Sequence, residues 1–140
     1  MKEERIIEVI DSLIEDNETM PVIVEGKRDE IALRKIGLKG EILRFNLGMS
    51  MTGFCEFIIQ NYKKVILLFD WDKKGNNLLS SMEKILISNG VMCDIEKRNE
   101  IQSIVGNSIR SVEEIYPFYI LSLEKLTLKN FKRSPKIIRK

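Results

Sequence analysis

The chain has 140 residues, the size of a single domain, and its shares of hydrophobic residues (44%) and charged residues (31%) exclude a largely disordered protein. Its 23 basic and 21 acidic residues leave a net charge of only +2. Because the chain contains no histidine and only two cysteines, serine–histidine catalysis, cysteine–histidine catalysis, imidazole zinc sites and cysteine-only zinc sites are all excluded.

The first half of the chain alternates between helical and strand patterns. Ile6, Ile10 and Leu13 recur at helical spacing. A short apolar run that ends at Glu25 is followed by Gly26, which breaks the pattern. In chain order, the residues predict a helix over 1–15, a strand over 21–25, a helix over 28–36, a strand over 41–45 and a helix over 50–62.

The second half begins with the strongest strand signal. Residues 65–69 are apolar on both faces, as is typical of a buried strand in a parallel sheet. Further along, the pattern predicts a helix over 77–89, a strand over 91–95 and a short helix over 99–105. Asn76 and Asn77 are the predicted capping residues of the first of these helices.

The remaining apolar residues predict another helix. Ser111 and Glu114 fit a capping box for a helix that starts at Val112, in which Pro117 either introduces a kink or restarts the helix as a first-turn residue. The order of elements predicts an α/β fold in a single domain. It has a mostly parallel four-stranded sheet, helices on both faces and extra C-terminal helices on the same core.

Charge is distributed unevenly along the chain. Residues 1–20 include seven acidic and two basic residues, whereas residues 125–140 include seven basic residues and no acidic one. The basic tail either binds phosphates of nucleic acid or is a solvated terminus, and the sequence leaves both interpretations open. Since no apolar run reaches membrane-spanning length and no disulfide pattern is present, we expect a cytoplasmic protein without membrane contact.

Carboxylates follow two of the predicted strands. Glu25 ends the first strand, and Asp70 and Asp72, which share one face of an extended segment, end the third. If the two strands are neighbours, the three side chains converge beyond the carboxyl ends of the sheet, where their repulsion requires a positive charge between them. Oxygen ligands alone favour Mg²⁺, with Mn²⁺ as the alternative, and this chemistry suits phosphoryl transfer or phosphodiester hydrolysis.

Glycines and basic residues flank these carboxylates. Gly26 and Gly75 each allow a ligand to approach the backbone at the start of a helix, and a helix N-terminus favours phosphate. Trp71, between the two aspartates, either stacks on a base or covers the rim of the sheet. The neighbouring cations either hold phosphates or balance the acidic residues, and they are Lys27, Arg28, Lys73 and Lys74.

Two segments, VIVEGKRDE at residues 22–30 and ILLFDWDKKG at residues 66–75, resemble the paired motifs of the Toprim domain. Toprim domains occur in topoisomerases, bacterial-type primases, the ribonuclease that matures small ribosomal RNA and overcoming-lysogeny-defect nucleases. The resemblance covers residues 20–98. The whole chain is similar to the short stand-alone Toprim proteins found chiefly in archaea, and its first motif is also similar to that of the ribosomal-RNA maturase ribonucleases.

The resemblance implies a Mg²⁺ site and assigns candidate catalytic residues to it. Glu25 would be a metal ligand or an acid–base group, and Asp70 and Asp72 would be metal ligands. Some family members have a third acidic residue where this chain has Lys74, and this departure leaves room for one well-held metal ion. Together with the helix-terminus argument, the residues predicted to bind phosphate or nucleic acid are Gly26, Lys27, Lys73, Lys74 and Gly75.

Two functions remain open. The first is a small metal-dependent nuclease that hydrolyses phosphodiester bonds, with RNA favoured over DNA. The second is a non-catalytic nucleic-acid-binding or adaptor subunit of an RNA- or DNA-processing complex, which keeps the metal site and binds a protein partner. A weaker third alternative is a nucleotide- or phosphate-binding regulator. The expected organisation is an N-terminal amphipathic helix over 1–19, the Toprim-like domain over 20–98, a C-terminal helical extension over 99–131 and the basic tail over 132–140.

Overall fold

Helices and strands alternate along the chain in a computed structural model that describes residues 1–45 and 48–133. The strands are β1 (Val22–Val24), β2 (Ile42–Arg44), β3 (Lys64–Leu67) and β4 (Met92–Asp94). The helices of the described residues are α1 (Lys2–Asn17), α2 (Lys27–Ile36), α3 (Met51–Asn61), α4 (Lys73–Ser88), α5 (Glu96–Val105) and α6 (Ile115–Arg133). Most of the predicted basic tail, residues 134–140, lies outside the described residues.

The four strands form one parallel sheet in the order β2-β1-β3-β4. Val22 lies opposite Ile66 and Ile23 opposite Leu67, so that β1 and β3 run side by side in the middle of the sheet. The predicted α/β fold with a parallel four-stranded sheet is therefore confirmed. Because parallel strands end at the same edge, this pairing brings together the segments that follow β1 and β3.

The central strands are apolar on both faces because helices cover both faces of the sheet. Alternate strand residues point to opposite sides. Ile23, Val65 and Leu67 pack with residues of α3 and α4, whereas Val22 and Ile66 pack with residues of α1, α2, α5 and α6. The C-terminal helices thus share the core of α1. In the described part of the chain, no helix combines the length and apolar character that a membrane crossing needs.

The start of α4 differs from the prediction because a side chain caps the helix earlier than expected. The Asp72 carboxylate accepts the N–H of Gly75, and α4 therefore begins at Lys73. Asn76 and Asn77 lie inside the helix, so their predicted capping role is wrong. The earlier start places the second acidic residue of the pair at the positive end of a helix.

The last helix also begins later than predicted. The Ser111 hydroxyl donates to the Glu114 carboxylate at 2.9 Å, but these residues form a turn that precedes α6. The helix starts at Ile115 rather than at Val112. Pro117 lies in the first turn, where its missing N–H removes no bond within the helix. Of the two interpretations of the proline, the structure agrees with the first-turn position.

Gly75 lies where the first turn of α4 packs on the backbone of Asp70. A Cβ atom at Gly75 would be 1.8 Å from the carbonyl oxygen of Asp70. We expect Gly75→Ala to lower the free energy of unfolding by about 3 kcal/mol, because the backbone of the turn must shift to relieve this overlap. The matched control is Gly53→Ala in α3, whose Cβ would come no closer than 3.2 Å to the Ser50 hydroxyl. Urea unfolding measures both variants, and a Gly75→Ala midpoint equal to that of the wild type would contradict this packing.

Candidate functional site

Glu25 directly follows β1, and its carboxylate is paired with a cation from another element. Glu25 Oε1 lies 2.7 Å from Lys74 Nζ, in the first turn of α4. The Lys74 side chain is 72% exposed, whereas that of Glu25 is 24% exposed. The contact with Glu25 raises the pKa of Lys74, and the charges of Asp72 and Asp70 add to this effect. Lys74 therefore supplies positive charge to the acidic edge of the sheet.

Backbone N–H groups hold the two aspartates in place. The Asp70 carboxylate accepts the Val112 N–H at 2.8 Å, and the Asp72 carboxylate accepts the Gly75 N–H at 2.7 Å. Burial raises the pKa of Asp70 against the opposing bond from Val112, and the charges of Asp72 and Glu25 raise this pKa further. The three predicted carboxylates thus lie at one edge of the sheet, close enough for their charges to interact.

These carboxylates do not form a ready-made metal cluster. Glu25, Asp70 and Asp72 each use one oxygen for a contact with their own chain. Within residues 1–45 and 48–133, no three His, Cys, Asp or Glu side chains are grouped closely enough to hold a metal ion. In the described residues the three carboxylates therefore share one edge of the sheet without forming a closed group of ligands.

A fourth carboxylate, that of Asp29 at the start of α2, belongs to the same edge. Asp29 is 9% exposed and accepts the Gly26 N–H at 3.1 Å. Burial raises the pKa of Asp29 to about 6, and the charges of Asp70, Glu25 and Glu113 contribute to the increase. Asp29 was not among the predicted site residues, although a carboxylate three residues after Gly26 is a recognisable signal for helix capping.

The guanidinium of Arg98, on α5, lies against the backbone of the acidic turn. Its Nε donates to the Phe69 carbonyl and its Nη2 to the Asp70 carbonyl, both at 2.7 Å, and Nη2 also donates to Asn76 Oδ1. Burial lowers the pKa of Arg98, partly offset by the charges of Asp70 and Asp72. Because Arg98 follows the turn by 28 residues, no local pattern in a single sequence could identify this contact.

Trp71, between the two aspartates, is part of the core. It is 7% exposed, its Nε1 donates to the Ile109 carbonyl at 2.7 Å and its backbone N–H donates to the Arg110 carbonyl at 3.2 Å. The buried indole offers no face on which a base can stack, so only the covering role agrees with the structure. These bonds tie the acidic turn to the connection between α5 and α6, which lies beyond residues 20–98.

The remaining residues predicted to bind phosphate lie at the N-termini of α2 and α4. Lys27 and Lys73 are exposed in the first turns of these helices. The N–H groups of Gly26 and Gly75 are already bonded to neighbouring carboxylates. A phosphate can reach the lysines without rearrangement, whereas contact with either glycine N–H requires an existing bond to open.

A family model described as Toprim-like matches residues 22–103 of this chain. The matched segment contains the four strands of the sheet and the three predicted carboxylates. Toprim domains share an association with divalent metal ions and nucleic acids. The match therefore supports a function in that general area, without indicating a particular activity.

Several archaeal proteins named UPF0292 are similar to most of the chain. One from Thermoplasma volcanium is 39% identical over 109 residues, which cover 78% of this chain and 90% of that protein. Another from Methanosarcina barkeri is 33% identical over 129 residues, covering 90% of this chain and 85% of that protein. A solved structure of a protein from Aquifex aeolicus has a TM-score of 0.67 at 29% identity, and the match covers 76% of this chain and 94% of that one. The expected similarity to short archaeal Toprim proteins is confirmed.

The raised pKa of Asp29 predicts a pH-dependent stability. Because this pKa is about 6 in the folded chain and 3.8 in its ordinary environment, the charged carboxylate disfavours folding, and stability falls as the pH rises through this interval. We expect Asn at this position to accept the same N–H and to raise the free energy of unfolding by about 2 kcal/mol at about pH 7. Thermal unfolding in the presence of chelator measures both proteins, and the gain in stability of Asp29→Asn over the wild type should shrink towards about pH 4. A stability gain of the same size at about pH 7 and at about pH 4 would contradict the raised pKa of Asp29.

Proposed function

The chain belongs to the Toprim-like family, and we propose that it is a small metal-dependent nuclease that hydrolyses phosphodiester bonds of nucleic acid, RNA in preference to DNA. Glu25, Asp70 and Asp72 hold one divalent cation, Mg²⁺ or alternatively Mn²⁺. The observation that carries the proposal is the pairing of β1 with β3, which brings the acidic residues after these strands to one edge. The preference for RNA rests on the likeness of the first motif to the ribosomal-RNA maturases.

The chemistry of the donor set fits a hard divalent cation. Carboxylates supply only oxygen ligands, and Mg²⁺ commonly binds through one or two of them while it keeps several waters, so that a closed cage is not needed. Within residues 1–45 and 48–133, Glu25, Asp70 and Asp72 each keep one carboxylate oxygen outside the contacts that they make with their own chain. A divalent ion bound there would supply a water of lowered pKa and positive charge against the phosphodiester.

In this proposal the lysines around the carboxylates hold the substrate. Lys74 neutralises Glu25 in the arrangement described, and its exposed, flexible side chain is able to leave the carboxylate and contact a phosphate. Lys27 and Lys73, at the starts of two helices, would contact neighbouring phosphates of the same strand. Release of Glu25 from Lys74 would free its carboxylate to act as a ligand or to accept a proton.

A second candidate function is supported by a different observation. Glu25, Asp70 and Asp72 are all engaged by their own chain, and the described residues contain no preformed group of metal ligands. A site closed in this way suits a non-catalytic subunit that binds nucleic acid or a protein partner within an RNA- or DNA-processing complex. The two functions differ in whether a divalent ion leads to cleavage.

Cleavage and binding measured side by side separate the two functions. We expect the wild type to cut labelled structured RNA or single-stranded RNA in Mg²⁺ or Mn²⁺ but not in chelator, and to cut duplex DNA less. Glu25→Gln should abolish cutting and leave binding largely intact, because it removes a carboxylate and no phosphate-binding cation. Glu41→Gln, at the opposite end of the sheet, is the matched control and should cut normally. Binding without cutting in the wild type would support the adaptor instead.

Substitution of Lys74 should strengthen Mn²⁺ binding and slow cleavage of the substrate. Lys74→Ala removes a cation that competes for Glu25, so we expect Mn²⁺ to bind about fivefold more tightly in calorimetry. The same substitution should slow cleavage, because a phosphate contact is lost. Lys84→Ala, an exposed position on the same helix, is the control for a change in net charge alone. Weaker Mn²⁺ binding in Lys74→Ala would contradict the competition between this lysine and the metal ion.

A further inference from the structure

Arg98 is a buried cation whose hydrogen bonds go to neutral acceptors. It is 3% exposed, and it donates to the carbonyl groups of Phe69 and Asp70 and to the side chain of Asn76. Among the described residues, no carboxylate forms a salt bridge with it. Burying a guanidinium is costly unless its donors are paired, and here two carbonyl groups of the acidic turn and the side chain of Asn76 accept from Nε and Nη2.

The neighbouring residue shows a different arrangement of a buried charge. Lys97 is 8% exposed, and its Nζ lies 2.9 Å from a carboxylate oxygen of Asp16 and 3.9 Å from one of Asp94. Lys97 therefore joins α5 to α1 and to the end of β4 through ion pairs. Arg98 instead joins α5 to the segment that follows β3. Two adjacent buried cations thus serve different parts of the fold.

The bonds of Arg98 fix the segment that carries both aspartates. β3 ends at Leu67, so the Phe69 and Asp70 carbonyls lie past the last residue of the strand. The planar guanidinium engages both carbonyls at once, a geometry that the single ammonium of a lysine cannot reproduce. Its bond to Asn76 adds α4, the helix whose first turn Asp72 caps. One side chain therefore connects the end of the strand with the helix that follows it.

We infer that Arg98 is a positioning residue: it holds the backbone of the Asp70–Asp72 turn, and with it the two carboxylates that the proposed cation site uses. This inference rests on the proposed function, because it concerns the same cation site. The charge of Arg98 lowers the affinity of such a site for a cation, whereas its hydrogen bonds raise that affinity. Loss of the charge alone would strengthen cation binding, since one positive neighbour is removed. Loss of the positioning bonds weakens cation binding.

Mn²⁺ titration of the folded protein by calorimetry tests the inference. Arg98→Met removes both the charge and the bonds, whereas Arg98→Lys keeps the charge and loses the planar fork. We expect both variants to bind Mn²⁺ about tenfold more weakly, the usual scale for residues that orient metal ligands. Lys97→Met is the control for loss of a buried cation, and it should be destabilised while its Mn²⁺ affinity stays that of the wild type.

A milder pair of variants covers the case in which substitutions of Arg98 do not fold. Asn76→Ala removes one exposed acceptor of the guanidinium and should weaken Mn²⁺ binding about threefold. Asn77→Ala, at the next exposed position of α4, should leave the affinity unchanged. Mn²⁺ affinity equal to or higher than that of the wild type in the Arg98 and Asn76 variants would overturn the inference alone. A loss of Mn²⁺ affinity in Lys97→Met as large as that in the Arg98 variants would also overturn it. A wild type that binds no Mn²⁺ would overturn the proposed cation site together with the inference.

Discussion

The parallel pairing of β1 with β3 is the constraint on which the rest of the site depends. The two strands are not consecutive in the sequence, because α2, β2 and α3 lie between them along the chain. Their adjacency means that the residues following each strand share one edge, so that Glu25 and the Asp70–Asp72 pair affect one another electrostatically. A sheet with another strand order would separate Glu25 from the two aspartates, and Lys74 would lose its ion pair with Glu25.

Like charges at this edge are tolerated because the protein supplies its own compensation. Lys74 pairs with Glu25 from the solvent side, and backbone N–H groups bond to Asp70 and to Asp29. Compensation is incomplete, since burial and neighbouring carboxylates still raise the pKa of both aspartates. Residual repulsion of this kind favours binding of an additional cation, and it is therefore consistent with the proposed use of the edge.

The parts of the fold that depend on local pattern could be predicted from the sequence, and the parts that depend on distant contacts could not. Apolar runs identified the strands, and the motif order identified the family and the edge at which the carboxylates lie. The start of α4 was misplaced because the Asp72 side chain, rather than either asparagine, caps it. The placement of Arg98 depends on its contact with a distant turn, for which one sequence carries no signal.

The bonds from Asp70 and Trp71 to residues 109–112 have a consequence for how the protein is made. Chains emerge from the ribosome N-terminus first, and the acidic turn appears about forty residues before the amide that holds Asp70. The strands and helices α1 to α5 can collapse during that interval, but the turn reaches its final form only after the segment behind α5 has been synthesised. Assembly of the acidic edge is thus a late event in biosynthesis, and a nascent chain that stalls before this segment would display the family motifs without their finished geometry.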